Sequence, residues 1–339
     1  MANKWYEQAG EQGDIVLSTR IRLVRNVEGF PFPHRLDAQT QNELCQQIKD
    51  HILATPSPLT RSLGYFSPET VSQGAKQAMA ERYLLPRDFA ESRKQRPILL
   101  SEDESVCLLL CHQDHIRLQV MKAGLDFNGA YEVANGLDDI INEGFAYAFH
   151  KQWGYLTQSP ADLGTGMKAS VLLHLPALEA TGEIHTLANA VGKIGLSLQG
   201  TFGQGSTVSG NLYQLSNQIS MGLTEDSALE NLKSITAQIV HREREARKEL
   251  APLETEDTAF RALGLLQNAR ILPLAEFTKH LSHLRLGIAM GLIDTVSIEQ
   301  VNLLNATMHP ATLLLENPEA DSTEKRDVIR ATKIREHLK

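Results

Sequence analysis

One stretch of the chain, residues 157–176, constrains the fold more than any other. Its sequence, TQSPADLGTGMKASVLLHLP, joins a polar loop with Gly164 and Gly166 to Lys168 and then to an apolar run. The apolar run, residues 170–175, has the length of a buried strand. Glycines let a backbone approach a ligand closely, and a basic residue at the mouth of a strand is typical of anion sites. The stretch therefore predicts a buried strand behind a weak phosphate-loop signal, although a lone GxG is more often only a turn.

The composition permits a large core and excludes several classes of protein. The 339 residues are 42% hydrophobic, and the net charge of −8 argues against a general nucleic-acid surface. The N-terminus has no signal-peptide pattern, and the longest apolar run, residues 106–111, is too short to span a membrane. Three cysteines give no disulfide framework. We therefore expect a cytoplasmic protein with neither a nucleic-acid nor a membrane partner.

The periodicity of the chain predicts two units. Residues 1–252 mix strand and helix patterns and are expected to form an α+β unit, an antiparallel sheet flanked by helices. Residues 253–339 show only helical periodicity and are expected to form a small all-α domain. The strands are predicted at 14–26, 97–100, 105–111, 115–121, 170–175 and 194–199.

Two further stretches carry candidate functional side chains. Arg20 and Arg22 are two residues apart on a predicted strand, so they share a face, which fits either a solvated strand edge or a ligand site. Residues 111–115, CHQDH, could suggest a metal site. On a strand, however, His112 and Asp114 would face away from Gln113, so these side chains would not converge on one tetrahedral ion. We therefore predict no metal site in the protein itself.

Six long stretches match the motifs of a known family in order and spacing. They are DIVLSTRIRLVRN, DHIRLQ, GYLTQSPADLGTGMKASVLLHLPAL, IGLSLQGTFGQGS, GNLYQLSNQISMG and LSHLRLGIAMGLI. The chain resembles the ATP:guanidino phosphotransferases, or phosphagen kinases, and within them the bacterial protein arginine kinase branch. Near its C-terminus, RDVIRA looks like that branch's RDxxRA phosphoarginine-binding motif. The resemblance covers nearly the whole chain and implies a phosphagen kinase catalytic domain.

The resemblance implies a nucleotide site for ATP, with Mg²⁺ held through the nucleotide. Phosphoryl transfer depends on in-line positioning and on cationic clamps for the developing charge. Two positions that are normally arginine in the family are Lys168, which keeps the charge without the bidentate fork, and Gln199, which loses both. The implied nucleotide-binding residues are Ser18, Thr19, Arg20, Ile21, Arg22, Tyr83, Arg117, Lys168, Ala169, Ser170, Val171, Leu172, Gln199, Gly200, Thr201, Phe202 and Gly203.

The acceptor side departs from the family at its catalytic positions. The two glutamate bases of the family correspond here to Gln113 and Gln204, and its reactive cysteine corresponds to Ser159. Glutamine can accept a hydrogen bond but cannot remove a proton from a guanidinium, and losing a general base typically costs ~10²–10⁴ in rate. His112 could replace a base only if it pointed into the site, and strand alternation would turn it away from Gln113.

The C-terminal motif implies a second binding activity. On a helix, Arg326 and Arg330 lie one turn apart with Asp327 beside them. Two arginines could clamp a phosphate while the aspartate pairs with a guanidinium, and Ala331 completes the implied phosphoarginine site. On spacing alone, a solvated charged helix is the more common interpretation of this pattern.

Three hypotheses follow. The leading hypothesis is a regulatory pseudokinase, impaired or inactive in transfer, that binds phosphoarginine and nucleotide. The first alternative is an active protein arginine kinase with a rearranged site that uses His112 or Asp114. The second alternative is a structural partner of an active paralogue. The resemblance implies arginine-containing or arginine-phosphorylated proteins, and quality-control machinery, as partners, and implies self-association into a homo-oligomer.

Overall fold

The structure is a computed structural model that describes residues 3–201 and 210–339. Within these ranges an antiparallel sheet of eight strands forms the centre of the fold. The strands are β1 (Val16–Arg25), β2 (Leu63–Phe66), β3 (Ile98–Ser101), β4 (Val106–Leu110), β5 (Ile116–Ala123), β6 (Phe149–His150), β7 (Gly154–Tyr155), β8 (Met167–His174), β9 (Leu196–Gly200) and β10 (Leu212–Asn217). The spatial order is β2-β3-β4-β5-β1-β8-β10-β9, and β6 and β7 form a separate hairpin. β1 therefore lies at the centre of the sheet, between β5 and β8.

Helices flank the sheet and continue beyond it. Those of the first part are α1 (Ala38–Ala54), α2 (Gln73–Glu81), α3 (Arg87–Glu91), α4 (Phe127–Gly144), α5 (Pro176–Ala180), α6 (Ile184–Gly192) and α7 (Glu225–Glu249). The C-terminal helices are α8 (Pro252–Asn268), α9 (Leu274–Ala289), α10 (Ile298–Thr307), α11 (Pro310–Glu316) and α12 (Thr323–His337). No helix of the described ranges combines the length and the apolar character that crossing a membrane requires.

The two faces of the sheet have different chemistry because successive strand residues point to opposite faces. On β1 and β8, the side chains of Ile21, Leu23, Val171 and Leu173 are at most 1% exposed. They belong to the main apolar cluster, to which α1, α4 and α7 also contribute. The alternate residues of the same strands include the charged side chains. Because the apolar residues are buried on one face, these charged side chains point to the other face.

The helices α8–α12 form an apolar cluster of their own, with Leu266, Phe277 and Leu304 fully buried in it. They are joined to the first part by polar contacts. The carboxylate of Glu81, at the end of α2, accepts hydrogen bonds from the backbone N–H groups of Ala311 and Thr312, each at 2.8 Å. An acidic group at a helix N-terminus satisfies donors that have no partner within the helix, so Glu81 fixes α11 against α2.

The predicted fold class is confirmed, since an antiparallel sheet flanked by helices is followed by a helical C-terminal region. The division of the chain after residue 252 stays a prediction. One local expectation is wrong. The predicted strand 105–111 ends at Leu110, and Cys111 takes a φ of 50° at the start of a turn that runs to His115. Strand alternation therefore does not apply to residues 111–115.

Candidate active site

Four cationic side chains lie on the polar face of the central sheet. Arg20 and Arg22 come from β1, Arg117 from β5 and Lys168 from β8. Arg22 is directly opposite Lys168 across one ladder, and Val24 is opposite Arg117 across the other. Paired residues of neighbouring strands share a face, so the register gathers all four side chains. We call these four residues the cation cluster.

Burial and mutual repulsion lower the pKa values of three residues of the cation cluster. Burial, reinforced by Arg22, lowers the pKa of Arg20 to about 10. Burial together with Arg22 and Arg20 lowers the pKa of Arg117 to about 9. The pKa of Lys168 is lowered by burial and by the same three arginines. Because like charges held close together destabilise one another, a bound anion would be stabilised here and would relieve the repulsion.

Neutral oxygens orient two of the cations. Arg20 donates to Ser170 Oγ at 3.1 Å and to Gln214 Oε1 at 2.9 Å. Arg117 donates to Gln119 Oε1 at 3.3 Å. Such partners fix the direction of a guanidinium while leaving its charge in place, which is what a site for a polyanion requires.

Arg22 differs because it has a carboxylate partner. Its Nη2 donates to Asp162 Oδ1, and the two side chains are 18% and 12% exposed. Asp162 ends the short 3-10 helix Pro160–Asp162, which directly follows Ser159. Arg22 Nε is buried and has no hydrogen-bond partner within residues 3–201 and 210–339. Sequence reasoning missed Asp162, although it is the only charged residue of the predicted loop 157–167 and this was a signal that could have found it.

The remaining residues of the predicted nucleotide site divide between the two faces. Ser170 and Leu172 alternate with Lys168 and share the face of the cation cluster, and Ser18 is paired with Leu172. Four predicted residues are at most 1% exposed on the opposite face, so their side chains cannot contact a ligand bound to the cation cluster. These are Thr19, Ile21, Ala169 and Val171. The reason is strand alternation: when a motif of consecutive residues forms a strand, every second side chain points to the opposite face.

Tyr83 and the end of β9 border the same region. The carbonyl of Tyr83 accepts a hydrogen bond from Gln119 Nε2 at 2.6 Å, and burial raises the pKa of the phenol while Arg87 and Arg20 oppose this shift. Gln199 is exposed and is paired with Gln214. Gly200 closes β9 and Thr201 follows it. Phe202, Gly203 and Gln204, also predicted as site residues, lie outside the described residues.

Gln113 and His112 approach the same carboxylate. Gln113 Nε2 donates to Asp88 Oδ2 at 3.3 Å, and His112 Nε2 lies 3.5 Å from that oxygen. The expectation that these two side chains diverge is therefore wrong, because they sit on a turn rather than on a strand. Burial and the nearby Arg117 lower the pKa of His112, although Asp88 acts in the opposite direction. Sequence reasoning missed Asp88, since nothing local links α3 to this turn.

Asp114 has a structural role. It is 3% exposed, and its Oδ1 accepts hydrogen bonds from Asn26 Nδ2 at 2.7 Å and from the backbone N–H of Gln158 at 2.8 Å. These contacts hold the loop on which Ser159 is half-buried. Asp114 therefore fixes this loop through Oδ1, and its use as a base stays a hypothesis. In the part of the chain that is described, no three His, Cys, Asp or Glu side chains form a group that could hold a metal ion.

In the C-terminal motif, Arg330 is used by the fold. Its side chain is 1% exposed and donates to the carbonyls of Met308 at 2.8 Å and Leu272 at 2.7 Å. Its Nη1 also donates to Asp327 Oδ1 at 2.6 Å. The Nε and Nη1 groups of Arg330 are therefore used within the protein. A role of Arg330 in holding a phosphate stays a prediction. Ala331 is fully buried in the same core.

Arg326 lines a cleft between the C-terminal helices and the first part of the chain. The cleft has an empty volume of about 1030 Å³. Arg87 and Arg326 bring positive charge to it, whereas Glu81 and Glu91 bring negative charge. Arg326 itself is half-buried, and its guanidinium donates to neutral oxygens such as the carbonyl of Ala320 at 3.2 Å. The cleft therefore offers both signs of charge to one ligand.

Comparison with known proteins agrees with this geometry. The model of the ATP:guanido phosphotransferase C-terminal catalytic domain matches residues 43–246. The model of the protein-arginine kinase McsB C-terminal domain matches residues 252–339. Two solved structures share the fold: a duplicated taurocyamine kinase from Schistosoma mansoni and a lombricine kinase. The first has a TM-score of 0.62 at 23% identity over 76% of this chain and 38% of its own. The second has a TM-score of 0.61 at 20% identity over 70% and 68%.

Curated relatives match over nearly the whole length. A protein-arginine kinase of Halothermothrix orenii is 38% identical over 338 residues, which cover 98% of this chain and 96% of the relative. A protein-arginine kinase of Bacillus subtilis is 37% identical over 339 residues, which cover 99% and 93%. Because both family models and full-length relatives agree, the chain belongs to the protein-arginine kinase family of ATP:guanido phosphotransferases.

Proposed function

We propose that this chain binds Mg-ATP, transfers the phosphoryl group to protein arginine slowly or not at all, and recognises phosphoarginine on proteins. The observation that carries the proposal is the role of Gln113. At the position of a family base, its amide donates a hydrogen bond to Asp88. A neutral carboxamide can donate or accept a hydrogen bond, but it is not basic enough to remove a proton from a guanidinium.

The cation cluster supports nucleotide binding. Three guanidinium groups and one ammonium group share a sheet face, and the buried Arg22 Nε has no hydrogen-bond partner among the described residues. Planar guanidinium donors match phosphate oxygens, whereas Lys168 acts as a point charge. Mg²⁺ would arrive with the nucleotide and be held by its oxygens and water. The charge and geometry of the cluster therefore suit a triphosphate.

The acceptor side supports the proposal that transfer is slow or absent. A target guanidinium has a pKa above about 12, so its nitrogen attacks phosphorus only as a proton leaves. Gln113 offers no basic oxygen to receive that proton, and position 204 is also glutamine. Losing a general base typically slows a reaction by ~10²–10⁴. Binding and transfer are thus separable in this chain.

The cleft at Arg326 supports phosphoarginine recognition. A phosphoarginine carries a phosphate and a guanidino group, and the cleft presents Arg326 and Arg87 together with Glu81 and Glu91. Arginine pairs with phosphate and a carboxylate pairs with a guanidino group. Arg330 and Asp327 would act by fixing the backbone around the cleft, since they bind one another.

The partners and location are proposed on the same basis. Arginine-containing or arginine-phosphorylated proteins would be bound, quality-control machinery would be a functional partner, and the chain would self-associate into a homo-oligomer. The three free, buried cysteines favour a reducing compartment such as the cytoplasm.

The test compares binding with transfer. Native protein and the Gln113→Glu/Gln204→Glu variant are titrated with Mg-ATP by calorimetry and incubated with γ-labelled ATP and an arginine-rich protein. The work-up avoids acid because the phosphoramidate bond is acid-labile. We expect both proteins to bind nucleotide and the variant to transfer label at least about 10²-fold faster. Equal and rapid transfer by both proteins would overturn the proposal.

A second candidate is an active kinase with a rearranged acceptor side. The observation in its favour is that Asp88 and His112 lie beside Gln113, so a carboxylate and an imidazole occupy the region of the missing base. This candidate predicts that His112→Ala abolishes label transfer while nucleotide binding is kept. Native-like transfer by His112→Ala would eliminate it.

A further inference from the structure

Asp162 already binds a guanidinium in this structure. The hydrogen bonds of Arg20 and Arg117 to described residues end on neutral oxygens, whereas Arg22 donates to the carboxylate of Asp162. Asp162 also raises the pKa values of Lys168 and Arg117, against the burial and repulsion that lower them. This carboxylate therefore interacts with three of the four cations, Arg22, Lys168 and Arg117.

The backbone around Asp162 is held in place. The N–H of Asp162 donates to the carbonyl of Ser159 at 3.0 Å. Ser220 Oγ donates to the carbonyls on either side, Ala161 at 2.9 Å and Leu163 at 3.2 Å. Because the backbone of Asp162 is fixed, Asp162 cannot follow the Arg22 side chain if that side chain moves. A change of partner therefore requires movement of Arg22.

A phosphate group and Asp162 would compete for Arg22. If phosphate oxygens bind the Arg22 guanidinium, the carboxylate of Asp162 loses its hydrogen bond from Arg22 while it stays largely buried. A buried carboxylate without a partner is costly, so it would favour another cation. Asp162 lies three residues after Ser159, the position at which the family places a group near the target guanidinium.

We propose that Asp162 exchanges partners. It binds Arg22 in the absence of nucleotide, and it binds the guanidinium of a target arginine once nucleotide phosphates hold Arg22. The inference rests on the nucleotide site of the proposed function and adds the residue that selects arginine. It makes nucleotide and arginine bind cooperatively, and linkage requires each to raise the affinity of the other by the same factor.

The experiment measures this linkage by calorimetry. The full chain is titrated with an arginine-containing peptide, with and without a saturating non-transferable ATP analogue and Mg²⁺. A matched peptide with citrulline in place of arginine removes the charge and keeps the shape. For native protein we expect the analogue to tighten arginine-peptide binding by about tenfold, the range typical of allosteric coupling. The citrulline peptide should not respond.

The variant Asp162→Asn separates the two roles of the carboxylate. We expect it to bind the analogue several-fold more tightly than native protein, because the competitor for Arg22 is gone, and to show no analogue-dependent gain in peptide affinity. The control is Asp257→Asn, which removes an exposed carboxylate paired with Arg261 on α8. It should behave as native protein does.

The outcomes are distinguishable. If native protein does not bind the analogue, the proposed nucleotide site fails and the exchange fails with it. If native protein binds the analogue but Asp162→Asn keeps the cooperative gain, the exchange alone is overturned. If Asp162→Asn does not fold, the titration of native protein still tests the exchange. An arginine-peptide affinity that is the same with and without the analogue would overturn it.

Discussion

Arg330 Nη1 donates to Asp327 Oδ1 at 2.6 Å within α12, so two charged residues of the C-terminal motif satisfy one another. Nη1 also donates to the carbonyl of Leu272, and Nε donates to the carbonyl of Met308; these residues follow α8 and α10 respectively. The guanidinium therefore joins three segments of the helical region. The nearby Arg326 donates to the carbonyls of Ala320 and Asp321 and to Thr323 Oγ1.

Arg330→Ala should destabilise the protein. The change removes a buried guanidinium, leaves Asp327 without its partner and leaves two buried carbonyls unsatisfied. Breaking a buried pair in this way costs about 3–5 kcal/mol. Urea denaturation followed by circular dichroism would measure the free energy of unfolding. A variant as stable as native protein would contradict the structural role.

Arg326→Ala should leave stability within about 0.5 kcal/mol, because the residue is half-buried and its hydrogen bonds to Asp321 and Thr323 are exposed. It should weaken binding of a phosphoarginine peptide at least about tenfold, because it removes a charged hydrogen-bond donor. Fluorescence anisotropy with phosphorylated and unphosphorylated peptides would measure this. Unchanged affinity for the phosphorylated peptide would remove Arg326 from the site.

His174 should make the stability of the protein depend on pH. It is fully buried, its Nε2 lies 2.7 Å from Ser282 Oγ, and burial together with Arg285, Arg247 and His283 lowers its pKa well below 6.5. Below pH 6.5 the unfolded chain binds a proton that the folded protein does not, so stability falls as pH decreases. The slope from one such histidine is about 1.4 kcal/mol per pH unit.

The matched variant for that measurement is His174→Gln. Other buried histidines also contribute to the slope in native protein, so the difference between the two proteins isolates His174. Chemical denaturation between pH 7 and pH 5 should show a shallower loss of stability for the variant. If the stability of the two proteins fell equally with pH, His174 would have the same pKa in the folded and unfolded states.

Gly164→Ala should displace the loop that carries Asp162. Gly164 has a φ of 113°, and an added Cβ would lie 2.5 Å from the carbonyl oxygen of Ser220. We expect a loss of about 1–3 kcal/mol of stability from the strained backbone. Gly182→Ala is the control, since its φ of 76° is also positive but no atom lies within 4 Å of the added Cβ. Thermal unfolding of both variants separates backbone strain from the collision.

The central strands of the sheet could be predicted because each has a sequence pattern within its own few residues. The alternation of charged and apolar residues in 14–26 predicted β1, and the meander of residues 97–121 follows from short apolar runs with polar turns. The short helix α11 was missed because it starts at Pro310 and runs for only 7 residues. Such a segment offers too few turns for a helical period to be recognised.

The candidate site was predicted less completely because its decisive contacts are distant in sequence. Arg22 and Asp162 are 140 residues apart, and Asp88 and Gln113 are 25 apart. No periodicity connects such residues; only the folded sheet and its loops bring them together. The burial of Arg330 was equally invisible, because its spacing on a helix fits a solvated face as well as a core contact.

The alternation along β1 has a consequence for how this strand can change. Its arginines at 20 and 22 lie on the face of the cation cluster, whereas Thr19 and Ile21 are buried on the opposite face. In a saturation library of residues 19–22, tolerated substitutions should therefore fall into two independent sets. Variants at 20 and 22 would alter phosphate affinity with little effect on expression, while variants at 19 and 21 would alter expression with little effect on affinity. Neighbouring codons would thus be under separate kinds of selection.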